Sequence, residues 1–149
     1  KEKNLTDSLN HVAKIKKIPI LGICLGMQLF GTSSEEVNYE HEGLNWIKGN
    51  LVKFIVKKKI PHIGFNGLIN LKDDKLFYNI NEHSKFYFVH NYYFESENEK
   101  DVIAQTEYDI IFPSVVKKEN IVGTQFHPEK SQNHGIQFLY NFLKSYDLL

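Results

Sequence analysis

The sequence predicts an α/β domain built around a mixed sheet, and three observations support this. Apolar residues recur at helical spacing near both ends of the chain, over Leu5 to Lys17 and over His134 to Lys144. A short run rich in β-branched residues, Ile18 to Ile23, has the composition of a strand buried on both faces of a parallel sheet. Several further strand patterns follow it. Helices that flank and interrupt such strands are typical of the α/β class.

Local signals mark the first elements. Thr6, Asp7 or Ser8 is a candidate N-cap of the opening helix, and Pro19 is expected to end that helix. The buried strand comes next. A second helix is then expected to begin over residues 27–30.

The middle of the chain is rich in β-branched and aromatic residues, which favour strands. The expected strands are Leu51–Val56, Lys85–Asn91, Val102–Tyr108, Phe112–Lys117 and Val122–His127. A turn near Glu119 and Asn120 is expected to separate the last two. The apolar face of the closing helix is expected to comprise Ile136, Leu139, Tyr140 and Leu143, widened by Phe138 and Phe142.

Length and composition indicate a single domain over residues 1–149. A chain of 149 residues is about one ordinary domain, and 42% hydrophobic residues are enough to build a core. No apolar run approaches the roughly 18–20 residues that cross a bilayer, so no membrane contact is expected. A single Cys cannot form an internal disulfide, which favours a cytoplasmic location.

The charge balance argues against nucleic-acid binding. Eighteen basic and eighteen acidic residues give a formal net charge of +0, and every basic residue is Lys. The chain therefore has no basic surplus to neutralise phosphates and no Arg to form bidentate contacts. The aromatic segment 86–94 is accordingly expected to be a core or pocket-wall strand rather than a base-stacking platform.

The segment Gly22-x-Cys24-x-Gly26 has the pattern of a nucleophile elbow, with Cys in place of Ser. The glycines are expected to leave room for a tight, strained turn. Amide groups of the helix that follows are expected to favour the thiolate, and the N–H of Leu25 is placed to bind an oxyanion. The alternative is that Cys24 is a small buried apolar residue and the glycines serve packing.

A second motif, Gln125-Phe126-His127-Pro128-Glu129, ends an apolar strand pattern. His127 and Glu129 are two residues apart, so on an extended backbone their side chains would point to one side. His127 could then act as a base while Glu129 fixes the tautomer of its ring. His62 and His90 could be metal ligands, but they lack zinc-site spacing, and no metal or other cofactor is expected.

These motifs resemble those of the class I glutamine amidotransferases, which use a Cys-His-Glu triad. Within that class the sequence is similar to the glutaminase subunits of imidazole glycerol phosphate synthase, from histidine biosynthesis. The similar segments are LGICLGMQLF (21–30), GLNWIKGNLVKF (43–54), IPHIGFN (60–66), FYFVHNYYF (86–94), TEYDIIFPSVVKKENIVGTQFHPEKSQ (106–132) and GIQFLYNFL (135–143).

The resemblance implies a role for particular residues. The catalytic residues would be Cys24 as nucleophile, His127 as general base and then acid, and Glu129 as the residue that orients His127. The residues that bind L-glutamine would be Leu25, Gln28, Asn91 and Tyr92. The surface that meets a synthase (cyclase) subunit would include His62, Phe65, Asn66 and Lys130. That partner would receive the ammonia, and the two subunits would form a heterodimer.

The chain also differs from the family pattern. The family usually has Ser at the position of Asn91 and Trp at the position of Phe65. The resemblance further implies a three-layer, flavodoxin-like α/β fold that is truncated at its N-terminus, because relatives carry another βαβ block ahead of Lys1. That block would supply a second oxyanion-hole N–H.

Two other functions stay open at this level. The chain could be a paralogue that supplies ammonia to a sugar-modifying synthase. It could also be a catalytically impaired module that only docks a partner: the intact triad argues against this, and the absent N-terminal loop argues for it.

Overall fold

The structure is a computed structural model that describes residues 2–36 and 43–149, with side chains from residue 5 onward. Its helices are α1 (Glu2–Asn10), α2 (Leu25–Gln28) and α3 (Gln132–Ser145). Its strands are β1 (Ile20–Ile23), β2 (Ser33–Ser34), β3 (Gly49–Lys53), β4 (His62–Gly67), β5 (Lys85–His90), β6 (Tyr92–Ser96), β7 (Val102–Tyr108), β8 (Ile110–Lys118) and β9 (Ile121–Thr124).

A mixed sheet with the strand order β1-β9-β8-β7 positions the site. β1 is parallel to β9, whereas β9 with β8 and β8 with β7 are antiparallel, which confirms the expected mixed sheet. In the described part of the chain, β1 is an edge strand of this sheet. Ile20, Leu21 and Ile23 are accordingly half-buried, so the prediction of a strand buried on both faces was wrong.

The other strands form two smaller sheets, β2-β3-β6 and the antiparallel pair β4-β5. The expected strands lie within three residues of those observed, and β7 has the expected bounds. β4 and β6 are additional strands. β4 contains Gly64 with φ +131° and ends at Gly67, and glycines weaken the strand pattern of a sequence. β6 follows β5 after the single residue Asn91, so the two strands appear as one aromatic run in the sequence.

Two details of the helices correct the sequence expectations. α1 begins at Glu2, so Thr6, Asp7 and Ser8 lie inside the helix and are not its N-cap. After α1 the chain continues as a π-helix over His11–Ile15, which ends before the proline.

The buried face of α3 also differs from the expected one. Its buried residues are Gly135, Phe138, Asn141 and Phe142, whereas Ile136 and Tyr140 are exposed. Gly135 lies so close to Pro128 that a Cβ there would fall 1.8 Å from the Pro128 carbonyl oxygen. The helix therefore turns a small and a polar residue inward together with its phenylalanines.

Two apolar clusters cover the two faces of the mixed sheet. Val115 and Val122 belong to a cluster that includes Phe126 and Phe138. Their chain neighbours Val116 and Ile121 belong to the other cluster, and neighbouring strand residues point to opposite faces. Among the described residues, no helix combines the length and apolar character needed to pass through a membrane.

Candidate active site

Cys24 lies on a strained turn between β1 and α2. Its backbone has φ 50° and ψ −104°, a conformation that non-glycine residues rarely adopt. The Cys24 N–H donates to Thr124 O at 2.7 Å, which anchors the turn at the carboxyl end of the parallel pair β1-β9. The predicted elbow geometry is therefore present.

The two glycines of the elbow have different roles. A Cβ at Gly22 would lie 2.7 Å from the Gly26 carbonyl carbon and 2.4 Å from Phe30 Cζ, so Gly22 is needed for space, as expected. A Cβ at Gly26 would meet nothing within 4 Å. The expectation that both positions exclude a side chain was therefore wrong for Gly26.

His127 and Glu129 form a close pair, although not on a strand. β9 ends at Thr124, and Glu129 lies in a 3₁₀ turn over Pro128–Lys130. The turn brings Glu129 Oε1 to 2.6 Å from His127 Nδ1. A carboxylate that accepts from Nδ1–H leaves Nε2 as the ring nitrogen that can accept a proton.

One edge of β5 brings the nucleophile and the imidazole to the same side of the molecule. The backbone N–H of His127 donates to Tyr87 O at 2.8 Å, and Cys24 Sγ lies 3.9 Å from Val89 O. Two residues along a strand span about 7 Å, so the two groups are neighbours along this edge. Sγ donates towards Val89 O and accepts from Gln125 Nε2 at 3.7 Å, and the Leu25 backbone N–H also faces it.

Burial raises the pKa of the Cys24 thiol above its ordinary value. The Leu25 backbone N–H and the Gln125 side chain donate towards the sulfur and lower its pKa. The positive charge of Lys130 also lowers this pKa, whereas the negative charge of Glu129 raises it. α2 has four residues, which gives it a small dipole. The Leu25 amide therefore favours the thiolate, as expected, but burial outweighs this contribution and favours the thiol.

The residues expected to bind glutamine differ in their positions and contacts. Gln28 Nε2 lies 3.5 Å from Tyr92 O and 3.3 Å from Gln125 Oε1. Leu25 is exposed at the start of α2. Asn91 is an exposed residue between β5 and β6 whose carbonyl accepts from Phe54 N–H at 3.1 Å.

The residues expected at a partner surface do not share one face of β4. Phe65 is exposed, whereas His62 has only 2% of its surface accessible. Side chains of a strand alternate between faces, so residues 62 and 65 point to opposite sides. His62 therefore does not itself meet a partner, which corrects that expectation.

The other two expected interface residues differ in their contacts. Lys130 is exposed, and its Nζ lies 6.0 Å from the centre of the Tyr87 ring. Asn66 is half-buried, and its side chain bonds to Glu107 O and to the Gly67 N–H.

His62 and His90 form a buried pair inside the molecule. His90 Nδ1 lies 2.7 Å from Tyr92 O, so it donates, and His90 Nε2 accepts from His62 Nδ1 at 2.9 Å. Burial lowers the pKa of His62 to about 4 and of His90 to about 3. Within residues 2–36 and 43–149, no group of three or more His, Cys, Asp or Glu could hold a metal ion.

Sequence reasoning assigned no role to three residues that contact the site. Tyr87 and Val89 contribute backbone carbonyls, which no side-chain pattern reveals. Gln125 contributes a fully buried side chain. Its amide within an apolar strand pattern was the signal that could have identified it.

Comparisons with known proteins identify the family of the chain. Residues 2–146 match the family described as glutamine amidotransferase class-I. The imidazole glycerol phosphate synthase subunit HisH of Leptospira interrogans is 42% identical over 146 residues, which cover 95% of this chain and 71% of that protein. The subunit HisH 2 of Methanococcus maripaludis is 47% identical over 146 residues, which cover 97% and 71%.

The fold has solved counterparts. A crystal structure of a glutamine amidotransferase has a TM-score of 0.70 at 15% identity, and the match covers 98% of this chain and 70% of that one. At this identity the likeness concerns the fold alone. The family match over nearly the whole chain and the identity to HisH subunits lead to one conclusion: the chain belongs to the class-I glutamine amidotransferase family.

Proposed function

We propose that this chain is the glutaminase subunit of an imidazole glycerol phosphate synthase in histidine biosynthesis. It hydrolyses L-glutamine to glutamate and ammonia at Cys24 and passes the ammonia to a cyclase subunit. One observation carries the proposal: a cysteine on a strained elbow and a His127–Glu129 pair lie along one edge of β5. The HisH names of the relatives support the choice of synthase.

The reaction begins with proton transfer from the Cys24 thiol to His127 Nε2, because burial keeps the sulfur protonated at rest. For this transfer the thiol turns from Val89 O towards the imidazole. The sulfur then attacks the side-chain carbonyl of glutamine, and the Leu25 N–H stabilises the oxyanion. His127 gives its proton to the leaving ammonia, so a thioester on Cys24 remains.

Hydrolysis completes the cycle. Water gives a proton to His127 and adds to the thioester carbonyl. The C–S bond breaks, the sulfur takes the proton back and glutamate leaves. Glu129 holds the ring through Nδ1 in both halves of the reaction.

Gln28 has a defined place in this proposal. Its amide nitrogen already faces Tyr92 O and Gln125 Oε1, so its Oε1 is the atom that can accept from a donor of the substrate. Asn91 lies between β5 and β6, Tyr92 begins β6, and Tyr92 O contacts Gln28, so we expect both residues to contact bound glutamine.

An exposed patch beside the site is the proposed cyclase surface. The patch consists of Ile63, Phe65, Tyr87 and Lys130, with Ile63 and Phe65 58% and 51% exposed. Exposed apolar and aromatic side chains next to each other are typical of protein interfaces. Because Tyr87 O holds His127, a subunit docked here lies next to the point where ammonia forms. We propose that the two subunits form a heterodimer. We also propose a cytoplasmic location, because a chain with a single Cys has no internal disulfide.

Glutamate release by the purified chain, with and without a purified cyclase subunit, tests the function. We expect release that depends on the cyclase, a covalent adduct of a glutamine-analogue electrophile on Cys24, and loss of both in Cys24→Ala. Unchanged turnover in that variant would remove Cys24 from the mechanism. Activation by a sugar-modifying synthase instead would identify the paralogue, and cyclase binding without an adduct would identify a docking module.

A further inference from the structure

We propose that Gln125 is a positioning residue for the nucleophile: its buried side-chain amide donates to Cys24 Sγ and holds the sulfur at the elbow. The inference deepens the proposed function and depends on it for its catalytic meaning. Gln125 has 0% of its surface accessible, and its Nε2 lies 3.7 Å from Sγ. Burying an amide is costly unless it is hydrogen-bonded, so a fully buried Gln in an apolar strand end needs a reason.

The orientation of this amide is fixed by a backbone carbonyl. Tyr92 O can only accept, so the Gln28 group that faces it at 3.5 Å is the NH₂. The same NH₂ lies 3.3 Å from the Gln125 amide, which must therefore present its oxygen. The Gln125 NH₂ then points to the sulfur. Gln28 thus donates both to Tyr92 O and to Gln125 Oε1, Gln125 donates to Sγ, and every donor in this network faces an acceptor.

The backbone of Gln125 is held as firmly as its side chain. Its N–H donates to Ser114 O at 2.9 Å, which ties the residue to β8 just beyond the end of β9. The donor is thus presented from a rigid part of the sheet. This is what accurate placement of a reacting atom requires.

The donor matters more after the proton has left. In the resting thiol, S–H faces Val89 O and the lone pairs of sulfur face the Gln125 NH₂. Transfer of the proton to His127 removes the contact with Val89, whereas a hydrogen bond to a charged sulfur becomes stronger. Gln125 therefore favours the thiolate and keeps it aimed, together with the Leu25 N–H and Lys130 and against the charge of Glu129.

Alkylation of the thiol tests the role without glutamine. Iodoacetamide reacts with thiolate, and Cys24 is the single Cys of the chain, so the rate belongs to one sulfur. Gln125→Met keeps the length of the side chain without a donor, and Gln125→Glu keeps its shape but replaces the donor with a carboxylate, whose charge also disfavours the thiolate. We expect both variants to alkylate about fivefold more slowly at neutral pH, with the rate profile moved to higher pH.

Ser114→Ala is the matched control. Ser114 Oγ is buried next to Gln125 and has no hydrogen-bond partner within the described residues, so its loss should leave the alkylation profile unchanged. In the complex with cyclase, Gln125→Met should lower kcat about tenfold, because the residue acts on the sulfur, and any rise in KM would come from the lost contact with Gln28. A merely structural role would change Tm and leave the alkylation profile in place.

Wild-type alkylation profiles in folded Gln125→Met and Gln125→Glu would overturn the proposal. If the variants do not fold, the side-chain amide resonance of Gln125 in the wild-type chain decides. The chemical shift of this amide should change with the same pH midpoint as the alkylation rate. A chemical shift that stays constant through that pH range would overturn the proposal. Failure of the proposed function would look different: the wild type would release no glutamate and form no adduct, while the alkylation comparison would still be readable.

Discussion

At the level of single residues, Cys24 combines two opposing requirements. As the proposed nucleophile, the sulfur needs shielding from bulk water, yet burial disfavours its charged form. A nearby base resolves the conflict, because it removes the proton only when the thiol turns towards it. His127 is suited to this task because Glu129 at 2.6 Å fixes its tautomer and supports its positive charge.

Glu129→Gln should lower kcat by about a hundredfold or more, with little change in KM. The amide can present an N–H to Nδ1 and thereby favour the tautomer whose proton is on Nε2, where a base is needed. Steady-state glutaminase kinetics of the complex with cyclase measure this.

Glu82→Gln is the matched control for that substitution. Glu82 faces His83 at 3.7 Å in an exposed pair, which reproduces a His–Glu contact outside the site. The glutaminase activity of the Glu82→Gln variant should equal that of the wild type. Equal kcat values for the Glu129 variant and the wild type would remove Glu129 from the mechanism.

At the level of elements, the β1-Cys24-α2 unit depends on close backbone packing. Gly22 lies directly against Gly26 and Phe30, and α2 is a single turn held by the strand before it. Because no cap side chain stabilises α2, tertiary contacts determine its position.

A pair of alanine substitutions separates the two glycines of the elbow. Gly22→Ala should destabilise the chain by about 1–3 kcal/mol, since the new Cβ overlaps backbone as well as a ring. Gly26→Ala meets open space within a helix and should be neutral or stabilise by up to about 1 kcal/mol. Denaturant unfolding of both variants gives the comparison. Equal losses of stability would contradict the packing argument.

The elements that the sequence predicted well are those with local signals. The elbow follows from residues 22–26, and α3 follows from the helical spacing of apolar residues over 136–143. The buried face of α3 was misplaced because Gly135 and Asn141 are inward for reasons of space and hydrogen bonding rather than hydropathy.

Other features depend on pairing between distant segments. The division of strands among three sheets, the burial of His62 and the turn that holds Glu129 follow from contacts that no short window of sequence contains. The pairing of His127 with Glu129 was predicted on an extended backbone, but a 3₁₀ turn produces it.

At the level of the whole molecule, the site is assembled from three distant segments: residues 24–28, 87–92 and 125–129. The parallel pair β1-β9 brings the first and third together at one end of the sheet. Stability of the whole fold is therefore a condition for the chemistry, and the buried His62–His90 pair makes that stability depend on pH.

Acidification should destabilise the chain. Both rings are neutral when folded, with pKa values of about 4 and about 3, whereas the ordinary value is 6.5. Below pH 6.5 the unfolded chain binds more protons than the folded one, so the free energy of unfolding falls as the pH drops towards 4. The lowering of the His62 pKa from 6.5 to about 4 corresponds to roughly 3 kcal/mol.

His62→Gln should reduce this dependence but not remove it, because the new amide can donate to His90 without titrating whereas His90 still titrates. His83→Gln changes an exposed ring and should leave the slope as it is. Urea unfolding between pH 4 and 7 is the measurement. A wild-type curve that is flat over this range would contradict the assignment.

The assembly itself offers a prediction about the patch of Ile63, Phe65, Tyr87 and Lys130. Phe65→Ser should weaken binding of the cyclase subunit by about tenfold or more, because an exposed aromatic side chain is a common interface anchor. Ile111→Ser removes a side chain of similar exposure on β8 and should bind as the wild type does. Titration calorimetry gives both affinities, and equal losses would place the interface elsewhere.

The edge of β5 that carries the Tyr87 and Val89 carbonyls limits which mutations the strand can accept. The carbonyls of Tyr87 and Val89 set the separation of the imidazole and the sulfur, and they belong to the main chain. Substitutions along this strand leave that interval in place, whereas the gain or loss of a single residue there would shift one group past the other by a whole residue step. The spacing of the two groups therefore constrains the number of residues in β5 more strongly than it constrains the identity of their side chains.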